Sequence, residues 1–135
     1  MDKLGYIPGD LVYIHGNLRI INNCDGYYAT YYDEDETLQE TNVNVIEGIP
    51  LTKEILEKNG WSREGGVFGV SPDFKKIIDD PARKKGYITC LSVYPFFDKD
   101  GFSFFYNNQK LAIIHYIHEL QHILYGLKIN SEMEV

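Results

Sequence analysis

Cysteine is scarce in this chain. Cys24 and Cys90 are the only two in 135 residues, too few for a disulfide framework, and neither belongs to a Cys-x-x-Cys pair or stands beside a histidine. Two buried free thiols in a reducing compartment are expected over a single disulfide. No run approaches the ~18 apolar residues of a membrane span. The opening Met-Asp-Lys-Leu-Gly-Tyr puts no apolar stretch behind a basic start, so no signal peptide is expected, and cytoplasmic residence follows. Basic residues are also short: 13 Lys and Arg against 20 Asp and Glu give a formal charge of −7. A domain of that sign repels phosphate backbones, which disfavours nucleic acid as a partner. The one basic cluster, Lys75, Lys76, Arg83, Lys84 and Lys85, is broken by Asp79 and Asp80 and reads as a solvated surface segment. There is no Gly-x-Ser-x-Gly elbow, no phosphate-binding glycine loop, no internal repeat and no dividing linker. A single domain over residues 1–135 is the expectation.

Hydrophobic residues make up 44% of the chain, enough for a core at this length, and eleven Tyr and seven Phe supply much of it. Tyrosine suits half-buried strands and binding surfaces alike. The first third reads as β-structure. Leu11–His15 and Leu18–Ile21 flank Gly16-Asn17 as a hairpin, Asp25-Gly26 turns into Tyr27–Tyr32, and Val43–Ile46 forms a short strand ended by Gly48 and Pro50. Asp33-Glu34-Asp35-Glu36 is a solvated turn without the spacing of a calcium loop. Thr52 caps a short helix bearing Glu54 in its first turn, Asn59-Gly60 stops it, and Trp61 folds back onto the core. Residues 62–86 are the least legible, and Ile77-Ile78 suits a strand or a helical turn. Tyr87–Tyr94 and Phe102–Tyr106 form a hairpin through Asp98–Gly101. Leu111–Ile114 suits a strand or the start of the last helix. That helix runs from Ile117 to Leu127, with Ile117, Leu120, Leu124 and Leu127 on one face. The tail 131–135 reads as frayed or loosely docked.

His118-Glu119-Leu120-Gln121-His122 is the sharpest chemical signal. His-Glu-x-x-His on a helix puts two imidazoles on one face, where they can share a zinc ion while the glutamate acts as general base. A catalytic zinc needs a third protein ligand, and only 13 residues follow His122, among them Glu132 and Glu134. The extended motif fails, because Tyr125 and Lys128 occupy its glycine and histidine positions. His115 lies too far along the same helix, ~10 Å from His122, at 1.5 Å rise per residue. The competing reading makes His118, His122 and Tyr125 a polar-aromatic stripe packed on a sheet edge or a partner, with Gln121 satisfying backbone or solvent. It is preferred for want of a third ligand.

Three segments resemble a group of small uncharacterised proteins of Bacteroidetes and their phages and mobile elements. Ile49–Trp61 resembles an Ile-Pro-Leu-Thr-x-Glu-x-Leu-x-x-x-Gly-aromatic motif. Tyr116–Leu127 resembles Tyr-Val-His-Gln-Leu-Gln-Asn-Leu-Tyr-Phe-Ala-Leu. Gly9–Tyr13 resembles an opening Gly-Asn/Asp-x-Val-Tyr element. The resemblance implies a phage or mobile-element setting and no particular chemistry. Where this chain has Glu119 the group carries Gln, and where it has His122 the group often carries Asn.

The expectation is an α+β fold: a small curled, barrel-like antiparallel sheet in the N-terminal half, a short middle helix, a β-hairpin and a C-terminal amphipathic helix. The expected function is a non-enzymatic binding or adaptor module with no cofactor, acting on a protein partner or small ligand, with no membrane. Its surface is Tyr27, Tyr28, Tyr31 and Tyr32, or the face of His118, His122 and Tyr125, and either could support a homo-oligomer. The alternative is a zinc hydrolase built on His118, Glu119 and His122.

Overall fold

A computed structural model of the chain describes residues 6–64, 73–78, 89–95, 101–107 and 109–135. Its N-terminal half begins with β1 (Leu11–Ile14) and β2 (Asn17–Ile20), paired antiparallel. The turn falls one residue earlier than expected. His15 (φ 51°) and Gly16 (φ 79°) both adopt positive φ, the two-residue geometry that matches strand twist. β1 is apolar at four consecutive positions because both of its faces are covered. Leu11 and Tyr13 pack into the larger of two cores, while Val12 and Ile14 enter the smaller one.

β3 (Asn23–Cys24), β4 (Tyr28–Tyr32) and β5 (Leu38–Asn42) form a second sheet, in the order β3-β4-β5. Ile21, Ala29, Val43 and Ile46 complete the smaller core between it and the first sheet. The curled N-terminal half is therefore two small antiparallel sheets, β2-β1-β6 and β3-β4-β5, and not a closed barrel. Val43–Ile46 is not one strand. Asn42 Oδ1 accepts from the Asn44 N–H at 2.9 Å and winds Val43–Val45 into a 3-10 turn, so β6 starts at Ile46 and ends at Gly48.

Beyond β6, Ile49–Leu51 leans on the start of the last helix. Ile117 N–H donates to the Ile49 carbonyl, and Leu51 N–H to that of His115. Helix α1 (Lys53–Lys58) follows, with Thr52 Oγ1 accepting from Ile55 N–H at 3.2 Å and Asn59-Gly60 closing it as expected. Gly60 has φ +87°, and Trp61 then turns inward and is buried.

The C-terminal half is a five-stranded antiparallel meander of β7 (Ser62–Glu64), β8 (Asp73–Ile78), β9 (Thr89–Pro95), β10 (Phe102–Tyr106) and β11 (Gln109–Ile114). The β9–β10 hairpin is present, with Phe104 opposite Val93; its expected turn residues 98–100 lie outside the described residues. Ile77 belongs to β8, and Leu111–Ile114 lies in β11. Phe74, Leu91, Val93 and Phe104 form the inner face of this sheet, on which Leu56 of α1 and Ile117, Leu120 and Leu124 of α2 (Ile117–Gly126) pack. Leu11 and Ile49 belong to the same cluster, so the two halves share one core. The C-terminal tail is docked. Ile129, Met133 and Val135 pack on the core, and Glu134 exchanges two backbone hydrogen bonds with the Asn59 side chain, at 2.7 and 2.8 Å. No described helix is long and apolar enough to cross a membrane.

Candidate functional site

The two surfaces singled out in the sequence lie on different elements. On α2, each residue of the His-Glu-Leu-Gln-His run has a different occupation. Leu120 is fully buried in the larger core. Glu119 sits at the third position of the helix, and its Oε1 accepts from the N–H groups of His115 (2.8 Å) and Tyr116 (3.0 Å). This is the carboxylate half of a capping box. It satisfies backbone donors just upstream of the first turn and holds the carboxylate at the helix entrance.

Gln121 is buried and bonded throughout. Its Oε1 accepts from Leu11 N–H at 2.9 Å, and its Nε2 donates to the carbonyls of Gly9 and Ser131, both at 3.0 Å. The ladder from β6 to β1 ends at the Gly48–Val12 pair. Past it the side-chain amide takes over, presenting an acceptor and a donor to β1 as a neighbouring strand's peptide would.

His122 Nε2–H donates to Asp10 Oδ2 at 2.6 Å, and the same oxygen accepts from Ile7 N–H at 2.8 Å. Asp10 is only 1% exposed, so the imidazole and the turn amide replace its hydration. Sequence reasoning missed Asp10. The available signals were an acidic residue directly before the most apolar strand of the N-terminal half and its place in the Gly-Asn/Asp-x-Val-Tyr element. His118 lies between aromatic rings, stacked with Tyr116 (centroids 5.6 Å apart, 14° between planes) and tilted against Tyr6 at 5.0 Å. Gly48 makes room for this stack, because a Cβ there would stand 2.7 Å from Tyr116 Cδ1. Burial holds the His118 imidazole below its ordinary value, partly opposed by the Asp10 carboxylate. Its Nδ1 is buried with no hydrogen-bond partner among the described residues. The nearby Tyr6 hydroxyl is pushed up, first by burial and then by Asp10.

Chemically, Asp10 and His122 make a carboxylate–imidazole pair of the kind that orients a general base. Neither imidazole is hydrogen-bonded to a serine, threonine or cysteine among the described residues. The His118 and His122 ring centroids are 5.7 Å apart, and no group of three His, Cys, Asp or Glu among the described residues is arranged to hold a metal ion. His15, another possible ligand, is exposed at the tip of the β1–β2 turn. Tyr125 projects outward at 67% exposure, so the stripe of His118, His122 and Tyr125 is divided between a half-buried pair and a solvent-facing ring.

The tyrosines of β4 divide as well, because strand side chains alternate. Ala29 and Tyr31 turn toward the smaller core, and the Arg19 guanidinium lies 5.4 Å from the centre of the Tyr31 ring. Tyr28 (50% exposed) and Tyr32 (56%) point the other way. β5 pairs so that Asn42, Glu40 and Leu38 stand opposite Tyr28, Thr30 and Tyr32, and Leu38 is 51% exposed on this face. Tyr27, just before the strand, is also exposed. The acidic turn between the strands is organised by Asp33. Its carboxylate accepts from the N–H groups of Asp35 and Thr37 and from the Gln39 amide. These bonds hold the Asp33 carboxyl below the usual carboxylate range.

No protein-family model, curated protein or solved structure matches this chain.

Proposed function

We propose that this chain is a non-enzymatic binding module that recognises a protein partner or small ligand through the outer face of β4 and β5. The supporting observation is the exposed cluster of Tyr28, Tyr32 and Leu38 on a short sheet whose other face is packed. Aromatic side chains held on a rigid strand give large contact area at low entropic cost, which suits recognition. The resemblance of Gly9–Tyr13, Ile49–Trp61 and Tyr116–Leu127 to small Bacteroidetes phage and mobile-element proteins supports an accessory role in a phage or mobile element. Self-association through the same face is the variant in which the partner is a second copy.

The zinc-hydrolase reading of His118, Glu119 and His122 has less support. Glu119 already accepts two backbone N–H groups, and the Nε2 of His122 is turned to Asp10. The resembling group carries Gln where this chain has Glu119, and glutamine caps a helix as well as glutamate does. It often carries Asn in place of His122, and asparagine can also donate to an aspartate. The first exchange keeps the capping bonds seen here, and both remove a group that the metal reading requires.

The deciding comparison is recovery of partners from host extract by the wild type and by a Tyr28→Ser/Tyr32→Ser double variant, with quantitative mass spectrometry as readout. Loss of a specific partner in the variant is expected. Equal recovery by both proteins would remove this face from the function.

A further inference from the structure

The net charge of the molecule comes from one part of it. Between Arg19 and Lys53 the chain has seven carboxylates and no lysine or arginine, a charge of −7; the other 13 acidic residues are balanced by the 13 basic ones. This stretch contains β3, β4 and β5, the sheet that carries the exposed tyrosines. Three of its carboxylates are occupied: Asp25 and Asp33 accept backbone N–H groups in turns, and Glu34 pairs with Arg19 at 2.7 Å. Glu40 has no side-chain partner among the described residues, and it lies on the aromatic face itself. It stands opposite Thr30, with Tyr28 and Tyr32 at the two diagonal positions, roughly 7 Å away.

A carboxylate flanked by two tyrosines is a receptor for a cation. The carboxylate supplies a charged acceptor, and the ring faces attract positive charge through their quadrupoles. The chain already uses this chemistry internally, where the Arg19 guanidinium lies over the Tyr31 ring and donates to Glu34. Arginine fits better than lysine, because its planar guanidinium can bind a carboxylate and stack on a ring together. We propose that the β4–β5 face receives an arginine-bearing segment of a partner protein, with one guanidinium seated on Glu40 between Tyr28 and Tyr32. This rests on the binding-module reading and assigns the chemical class of the partner.

The test is fluorescence anisotropy with the full chain and labelled eight-residue peptides alternating serine with arginine, lysine or citrulline, at 150 mM salt, where attraction between charges is largely screened beyond about 8 Å. Saturable binding of the arginine peptide is expected, weaker binding of the lysine peptide, and none of the uncharged citrulline peptide. Tyr28→Ser/Tyr32→Ser should weaken arginine binding roughly tenfold, from two exposed cation–π contacts, without altering net charge. Glu40→Gln should weaken it several-fold, while Glu132→Gln in the tail removes the same charge and should leave it unchanged. Circular dichroism confirms that each variant folds. Absence of saturable binding overturns the proposal, as do equal losses in Glu40→Gln and Glu132→Gln, or an unaffected tyrosine variant. If the peptide fails to bind while partner recovery still depends on Tyr28 and Tyr32, the cationic assignment is wrong and the binding-module reading survives. Tyrosine-dependent self-association in sedimentation velocity, without peptide binding, would replace the partner segment by a second copy.

Discussion

Gln121 and Asn59 perform the same task at two places. Each turns a side-chain amide to a segment of main chain and offers it one acceptor and one donor, Gln121 to Gly9 and Leu11 and Asn59 to Glu134. Gln121→Leu retains the volume but leaves the Leu11 N–H and two carbonyls without partners. A loss of about 1–3 kcal/mol is expected from urea denaturation, the cost of leaving the buried Leu11 N–H unsatisfied, because the Gly9 and Ser131 carbonyls are only part-buried. A variant within about 0.5 kcal/mol of wild type would show that solvent reaches these groups. His118 predicts a pH dependence. Its folded-state value lies below the ordinary 6.5, so the unfolded chain takes up the proton first as pH falls. The stabilisation associated with neutral His118 is complete above pH 6.5 and is lost as pH drops from there toward the lowered value. Tyr6, Asp10, Tyr116, Glu119 and His122 face the same ring or act on it, so the wild-type profile sums several groups. The difference between wild type and His118→Phe between pH 8 and pH 5.5 isolates the histidine. It should shift in favour of the phenylalanine variant on the acid side, and a pH-independent difference would contradict burial as the cause.

Helix α2 shows how far pattern reading reaches at the level of elements. Its periodicity placed Ile117, Leu120, Leu124 and Leu127 on one face; the first three are buried, and Leu127, the C-cap after Gly126, is partly buried against the same core. The i, i+4 spacing also put His118 and His122 near one another, as their T-shaped contact shows. What each polar side chain does was not legible, because the partners of Gln121 and His122 in the N-terminal segment are 110 and 112 residues away in sequence. Local signals were reliable where the physics is local, as in the Thr52 cap and the Asn59-Gly60 stop. They failed at Val43–Val45, where apolar β-branched residues read as strand but the Asn42 side chain imposes a turn. They left the tail open between frayed and loosely docked, and its docking is settled by distant partners, the Asn59 side chain and the larger core. The role of Glu119 gives a clean contrast at this scale. Glu119→Gln keeps an acceptor for His115 and Tyr116 and should alter stability by less than about 0.5 kcal/mol, whereas Glu119→Ala should cost about 1 kcal/mol. Thermal denaturation of the two variants distinguishes a cap from a residue whose charge is required.

For the molecule as a whole, the sequence conveyed the class and the order of elements, an α+β chain with β-structure first and a helix last. It did not convey the division of labour between the two halves. The N-terminal half carries the surplus charge and the exposed Tyr27, Tyr28 and Tyr32, while the larger core is built mainly from the C-terminal meander and its helices. Leu11 joins the two, since its side chain enters the larger core and its amide is held by Gln121.

The Gln121 clamp also bears on how the protein is made. Ribosomes deliver the chain from the N-terminus, and contacts of long sequence separation must wait for their later partner. β1 emerges early, but the Leu11 amide and the Gly9 carbonyl gain their buried partner only when residue 121 is available. Until then the first strand has an open side beyond Gly48. A segment synthesised some 110 residues later thus closes β1, and a nascent chain stalled before α2 would hold the sheets β2-β1-β6 and β3-β4-β5 without that seal.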